Sequence, residues 1–135
     1  MNERTIQTAF SKKNKVDGCF ELKLSKTGSI RFDAVKPHQI QALLAVSSDK
    51  GLSHKITDQP WLPNRPNSFQ LKKPFDYFFL KNIPAYIVIC FYVPRKKKKC
   101  YYISPQEWKE LEIVFDKKSI REEELALSSE YTLEL

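Results

Sequence analysis

Between Gly18 and Leu24 the side chains alternate, with Phe20, Leu22 and Leu24 set against Cys19, Glu21 and Lys23. A period of two sends successive residues to opposite faces of a sheet, so this stretch predicts a strand. Asn2 to Phe10 instead puts Ile6, Ala9 and Phe10 on one side at helical spacing and predicts a short helix. Ser25 to Ser29, with Lys-Thr-Gly, reads as a turn. Val35 to Val46 predicts a second helix. Pro37 suits its first turn, Ile40, Leu43 and Leu44 line one face, and Ala42, Ala45 and Val46 extend it before Gly51 ends the element. Leu52 to Thr57 and Phe75 to Leu80 read as short strands, and the three prolines between Asp58 and Lys73 mark a loop. Ala85 to Val93 is the continuous apolar run of a strand buried on both faces. Pro94 to Lys99 is a charged hairpin end, and Cys100 to Ile103 returns as a strand. Ser104-Pro105-Gln106-Glu107 opens a helix carrying Trp108 and Leu111, and Ser119 with Glu122 predicts another short helix to Leu127. The order helix, strand, helix, strands, helix predicts an α/β, mixed α+β domain with a central sheet flanked by helices.

With 135 residues and 41% apolar side chains, the chain fits one domain with a core of its own. The longest apolar run, Ile83 to Val93, is far shorter than a bilayer span, and Met1-Asn2-Glu3-Arg4 lacks a secretory signal pattern. The expectation is a soluble, cytoplasmic protein. Cys19, Cys90 and Cys100 form no closely spaced metal-ligand pattern, and His38 and His54 are isolated, so reduced buried thiols are expected.

Charge changes the picture. Lys36 to Lys99 holds twelve Lys/Arg against three Asp/Glu, a net +9, whereas Glu107 to Leu135 holds four against nine, a net −5. A basic body points to a polyanionic partner, most simply nucleic acid. Residues 112–135 read as an acidic C-terminal extension, either a solvated helix, a partner-binding segment or a screen against loose binding.

The candidate chemistry begins at Phe20-Glu21-Leu22-Lys23. On a strand, Glu21 and Lys23 share a face. A carboxylate beside an ammonium serves metal-assisted phosphodiester hydrolysis, since the carboxylate offers oxygens to Mg²⁺ or Mn²⁺ and the lysine orients or deprotonates the attacking water. The same spacing also describes a plain ion pair at a sheet edge. Glu107-Trp108-Lys109 repeats it on a helix, where positions i and i+2 diverge by about 200° and form no pair.

After the strand come Ile30-Arg31-Phe32-Asp33 and then Val35-Lys36-Pro37-His38-Gln39-Ile40-Gln41-Ala42-Leu43. A Phe-Glu-x-Lys strand, a short Phe-containing loop and a helix opening on His-Gln resemble the central part of RecU-type Holliday-junction resolvases. Those belong to the PD-(D/E)XK, or restriction-endonuclease-like, superfamily. The Ala85 strand, Cys100-Tyr101-Tyr102-Ile103 and the Trp108 helix are similar to the next strands and helix of that family. Short phage-type nucleases with a Lys-Pro-Phe-Asp segment are similar too. The resemblance spans roughly Gly18 to Leu111. It implies a metal-dependent DNA endonuclease, a homodimer acting on branched DNA. Glu21 matches the metal-binding acid, Lys23 the catalytic lysine, and Gln39 a supporting residue at the start of the helix behind the site.

The chain departs from the family in one respect. The family carries a metal-binding Asp on a strand well upstream of Glu-x-Lys, and only Asp17 precedes it here. Lys73-Pro74-Phe75-Asp76 resembles that half of the motif, displaced to the far side of the helix. The expectation is a rearranged site in which a hairpin after the helix fills the missing sheet position and Asp76 joins Glu21 at the metal. Asp58 and Asp17 are fallback ligands, and Glu3 is a candidate extra acid on the first helix. Arg95-Lys96-Lys97-Lys98-Lys99 is the first candidate DNA-binding segment, and like charges in a row are not there for folding. Lys55, Lys72, Lys73 and Trp61 form a second, with Trp61 either stacking on an unpaired base or anchoring its loop. A non-catalytic nucleic-acid-binding protein that keeps the nuclease-like fold is the alternative.

Overall fold

A computed structural model describes residues 2–55 and 77–135. Asp58, Trp61, Lys72, Lys73 and Asp76 lie outside the described residues.

The protein is a mixed α+β structure built on a mixed sheet. Helix α1 (Glu3–Lys13) opens the chain, capped by Asn2, whose Oδ1 accepts the Thr5 N–H at 2.9 Å. Strand β1 (Cys19–Ser25) runs parallel to β5 (Ala85–Phe91), from Cys19 opposite Ala85 to Ser25 opposite Phe91. Parallel neighbours need a crossover, and α2 (Pro37–Ser47) lies on it. Beyond β5 the sheet continues antiparallel through β6 (Lys99–Ile103) and β8 (Tyr131–Glu134), giving the order β1-β5-β6-β8.

β5 is interior and every one of its residues is buried, as its unbroken apolar run requires. Ile87, Ile89 and Phe91 pack with Leu43 of α2 and with Trp108 and Leu111 of α3 (Pro105–Phe115). Tyr86, Val88 and Cys90 pack with Ile6 and Phe10 of α1 and with Tyr102. β1 extends the same alternation to the edge. Phe20, Leu22 and Leu24 join the α1-side cluster, which leaves Glu21 and Lys23 on the α2 side. No described helix is long and apolar enough to cross a membrane.

Four expectations change. Ser119 does not open a helix: β7 (Ser119–Arg121) pairs antiparallel with β2 (Ser29–Arg31), placing Ile120 opposite Ile30, both buried. Burying that cross-strand pair outweighs the local capping signal at Ser119. Helix α4 (Glu122–Ser128) begins afterwards, with the Arg121 N–H donating to Glu124 Oε1 at 3.2 Å. Second, the acidic C-terminal segment is woven into the fold, since Leu125 is fully buried and β8 closes one side of the sheet. Third, Cys90 and Cys100 are disulfide-bonded rather than reduced. They are direct cross-strand partners with Cα atoms 4.1 Å apart, and Cys19 is free.

The fourth concerns the hairpin after α2. Strands β3 (Leu52–Lys55) and β4 (Tyr77–Leu80) do pair, but they form a separate two-stranded ribbon and do not take the place beside β1. The ribbon is held at the other end of α2. Asn82 N–H donates to Ser48 O at 2.9 Å, Ile83 N–H donates to Val46 O at 3.1 Å, and Phe79 lies against Gly51.

Candidate active site

The site is assembled by one strand and one helix N-terminus. β1 presents Glu21 and Lys23 side by side, with the Lys23 ammonium 3.3 Å from Glu21 Oε1. Both side chains are partly shielded, Lys23 at 18% and Glu21 at 29% of full exposure, so the pair is neither dry nor fully solvated. α2 delivers the third member: Gln39 Nε2 donates to the same Glu21 Oε1 at 3.0 Å.

The direction of that amide is fixed by the helix cap. Gln39 sits three residues after the cap residue Lys36, and its Oε1 accepts the Lys36 N–H at 2.9 Å. With its oxygen engaged by a donor, the amide must present its NH₂ end to the carboxylate. The capping interaction therefore does two things, satisfying an orphan N–H of the helix start and aiming a donor at Glu21. The Lys36 N–H is the contributor that sequence reading missed. The signal for it was present, in a proline at the first helical position followed by Gln two residues later.

Glu21 thus has one oxygen engaged by two donors, while Oε2 has no protein partner among the described residues. A carboxylate held this way keeps a free oxygen for a hard cation, which prefers oxygen ligands and retains several waters of its own. Mg²⁺ or Mn²⁺ fits Glu21 on donor chemistry. Among the described residues there is no group of three His, Cys, Asp or Glu side chains that could hold a metal ion. Asp17 and Glu3 are both exposed, and Glu3 lies on α1, which packs against the opposite face of the sheet from Glu21. His38 is exposed on the first turn of α2 and joins none of these contacts.

The basic hairpin between β5 and β6 divides. Lys97 is 3.1 Å from Glu134 of β8, and Lys98 lies 5.0 Å over the Tyr92 ring. The Lys98 carbonyl accepts the Leu135 N–H at 2.9 Å. One of the five cations, Lys97, therefore pairs with the C-terminal strand and the backbone of Lys98 bonds its end, so the run has a part in the fold, contrary to the expectation. Arg95 and Lys96 form the exposed tip, with Arg95 in the left-handed region at φ 67°. Lys55 is exposed on β3.

Outside the site, burial pushes the Tyr101 hydroxyl up to about 12, and its hydrogen bond to Glu122, 2.8 Å long, adds to the shift. This tyrosine belongs to the core. No family model, curated protein or solved structure matches the chain.

Proposed function

We propose that the protein is a metal-dependent DNA endonuclease of the PD-(D/E)XK type, with a restriction-endonuclease-like core and branched DNA as its substrate class. The observation that carries this reading is the arrangement at Glu21. One carboxylate is gripped by Lys23 from its own strand and by Gln39 from the helix behind it, and its other oxygen has no partner among the described residues. A bare structural ion pair at a sheet edge has no need of the second, oriented donor.

When bound, Mg²⁺ or Mn²⁺ supplies Lewis-acid activation of the scissile phosphate and its attacking water. Glu21 would hold the cation through Oε2, and Gln39 fixes the carboxylate by donating to Oε1. Lys23 sets a positive charge beside the reacting phosphate, where it orients the attacking water and stabilises the charge that develops on the phosphoryl oxygens. A single carboxylate is a sparse ligand set, and Asp76, which lies outside the described residues next to a ribbon that does not pair with β1, is the second acid put to the test. Asp76→Ala is expected to lower metal-dependent cleavage roughly 100-fold, in keeping with loss of a key charged group. Full activity in that variant would remove Asp76 from the site and leave Asp58 and Asp17 as the remaining candidates.

The exposed hairpin tip supplies backbone contacts. Removing one cation that touches a phosphate should flatten the slope of log K against log salt by about 0.9. Arg95→Ser and Lys96→Ser are expected to do this singly, whereas Lys97→Ser changes the slope less because its ammonium is already paired with Glu134. Slopes from fluorescence anisotropy at several salt concentrations decide the point.

The second reading is a non-catalytic DNA-binding protein. It is favoured by the compensation of Glu21 within the chain, since the Lys23 ammonium already balances the carboxylate charge.

A further inference from the structure

The ribbon that stands apart from the central sheet carries an unusual surface. Tyr77 is 59% and Phe79 is 54% exposed, although both are large aromatic side chains in a regular strand. They are two residues apart and share a face of β4. Directly opposite on β3, and therefore on that face, stand Lys55 beside Tyr77 and Ser53 beside Phe79. Phe78 points to the other face, where its ring meets His54 at 5.1 Å.

We propose that the Tyr77–Phe79 face of the ribbon is a stacking platform for unpaired bases of single-stranded DNA, with Lys55 on the adjoining phosphate. Three features support this. Residues i and i+2 of a strand are ~6.8 Å apart, twice the ~3.4 Å spacing of stacked bases, so one base fits between the two rings. The Phe79 ring packs beside Gly51, where φ +77° and the close approach of the Leu80 carbonyl favour glycine. The surrounding chain is basic, with twelve Lys/Arg against three Asp/Glu between Lys36 and Lys99. Aromatic rings with an adjacent cation suit a polyanion of flat bases better than an apolar protein partner.

The platform deepens the proposed function and rests on its nucleic-acid reading. α2 connects the two places. Gln39 marks its first turn and Ser48 its end, ~14 Å along the axis at 1.5 Å per residue.

The test is binding of a fluorescent oligo(dT) and of a hairpin duplex, both in EDTA so that no cleavage is involved. The proteins are wild type, Tyr77→Ser/Phe79→Ser and Tyr77→Trp/Phe79→Trp. The expected result is a roughly 10- to 100-fold loss of oligo(dT) affinity in the serine variant. Duplex affinity should stay within about twofold, the salt slope should not change, and the tryptophan variant should regain binding with quenched emission. Circular dichroism establishes that the serine variant is folded, and the tryptophan variant answers the question if it is not. Oligo(dT) affinity unchanged by serine, equal loss on duplex, no rescue by tryptophan, or no oligo(dT) binding by wild type would each overturn the platform. Because cleavage is not read, a protein that cuts nothing but shows ring-dependent binding would refute the nuclease and keep the platform.

Discussion

Glu21→Ala and Lys23→Ala should each reduce metal-dependent DNA cleavage by about 10²- to 10³-fold, the range seen when a preorganised charged group is removed from a reaction centre. The two should differ in what else they change. Glu21→Ala removes the carboxylate that would hold the cation, so Mn²⁺ binding by titration calorimetry should weaken at least tenfold. Lys23→Ala leaves Glu21 held by Gln39 and relieves it of a competing cation, so Mn²⁺ binding should be retained or strengthened. DNA affinity should remain within a few-fold in both, since the backbone contacts lie elsewhere. If both variants cleave like wild type, the Glu21 constellation is a structural ion pair.

The largest stability effect is expected at Trp108. Its side chain is fully buried in the cluster between the sheet and the α2–α3 layer, with its ring centroid 5.1 Å from that of Phe32. Truncation to alanine removes the largest buried side chain of the core and leaves a cavity, a change that costs about 3–5 kcal/mol. Against a total stability of about 5–15 kcal/mol, that brings a domain of this size close to unfolding. Trp108→Phe keeps an aromatic ring against Phe32 and removes a buried N–H that has no partner among the described residues, so it should cost clearly less than the alanine change. Urea unfolding of the three proteins measures both differences. Equal stability of wild type and Trp108→Ala would mean that the core is not packed around this residue.

Much of the site was legible locally. Alternation along Cys19–Leu24 sufficed to put Glu21 and Lys23 on one face, and Pro37 with the following His38-Gln39 located the helix start that supplies Gln39. Each of those depends on neighbours within one element. The features that escaped are set by pairing between distant segments. Nothing near Ser119 announces that Ile120 will lie opposite Ile30, and nothing near Cys90 announces that the register of β5 and β6 will place it opposite Cys100. Tyr131–Glu134 carries β-formers, but the acidic charge of the segment masked that signal, and pairing with β6 makes it a strand. The position of the β3–β4 ribbon was misjudged for the same reason. Its place is set by backbone hydrogen bonds to the end of α2 and by the contact of Phe79 with Gly51.

Wild-type cleavage decides the central claim most directly. Linear duplex, single strand, flap and four-way junction would each be incubated with Mg²⁺, with Mn²⁺ and with EDTA, alongside Lys23→Ala. The account predicts cutting that requires the metal, is strongest on the branched substrates and is lost in Lys23→Ala. No cutting of any substrate by wild type, with DNA binding intact, would contradict it and leave a DNA-binding protein without catalysis.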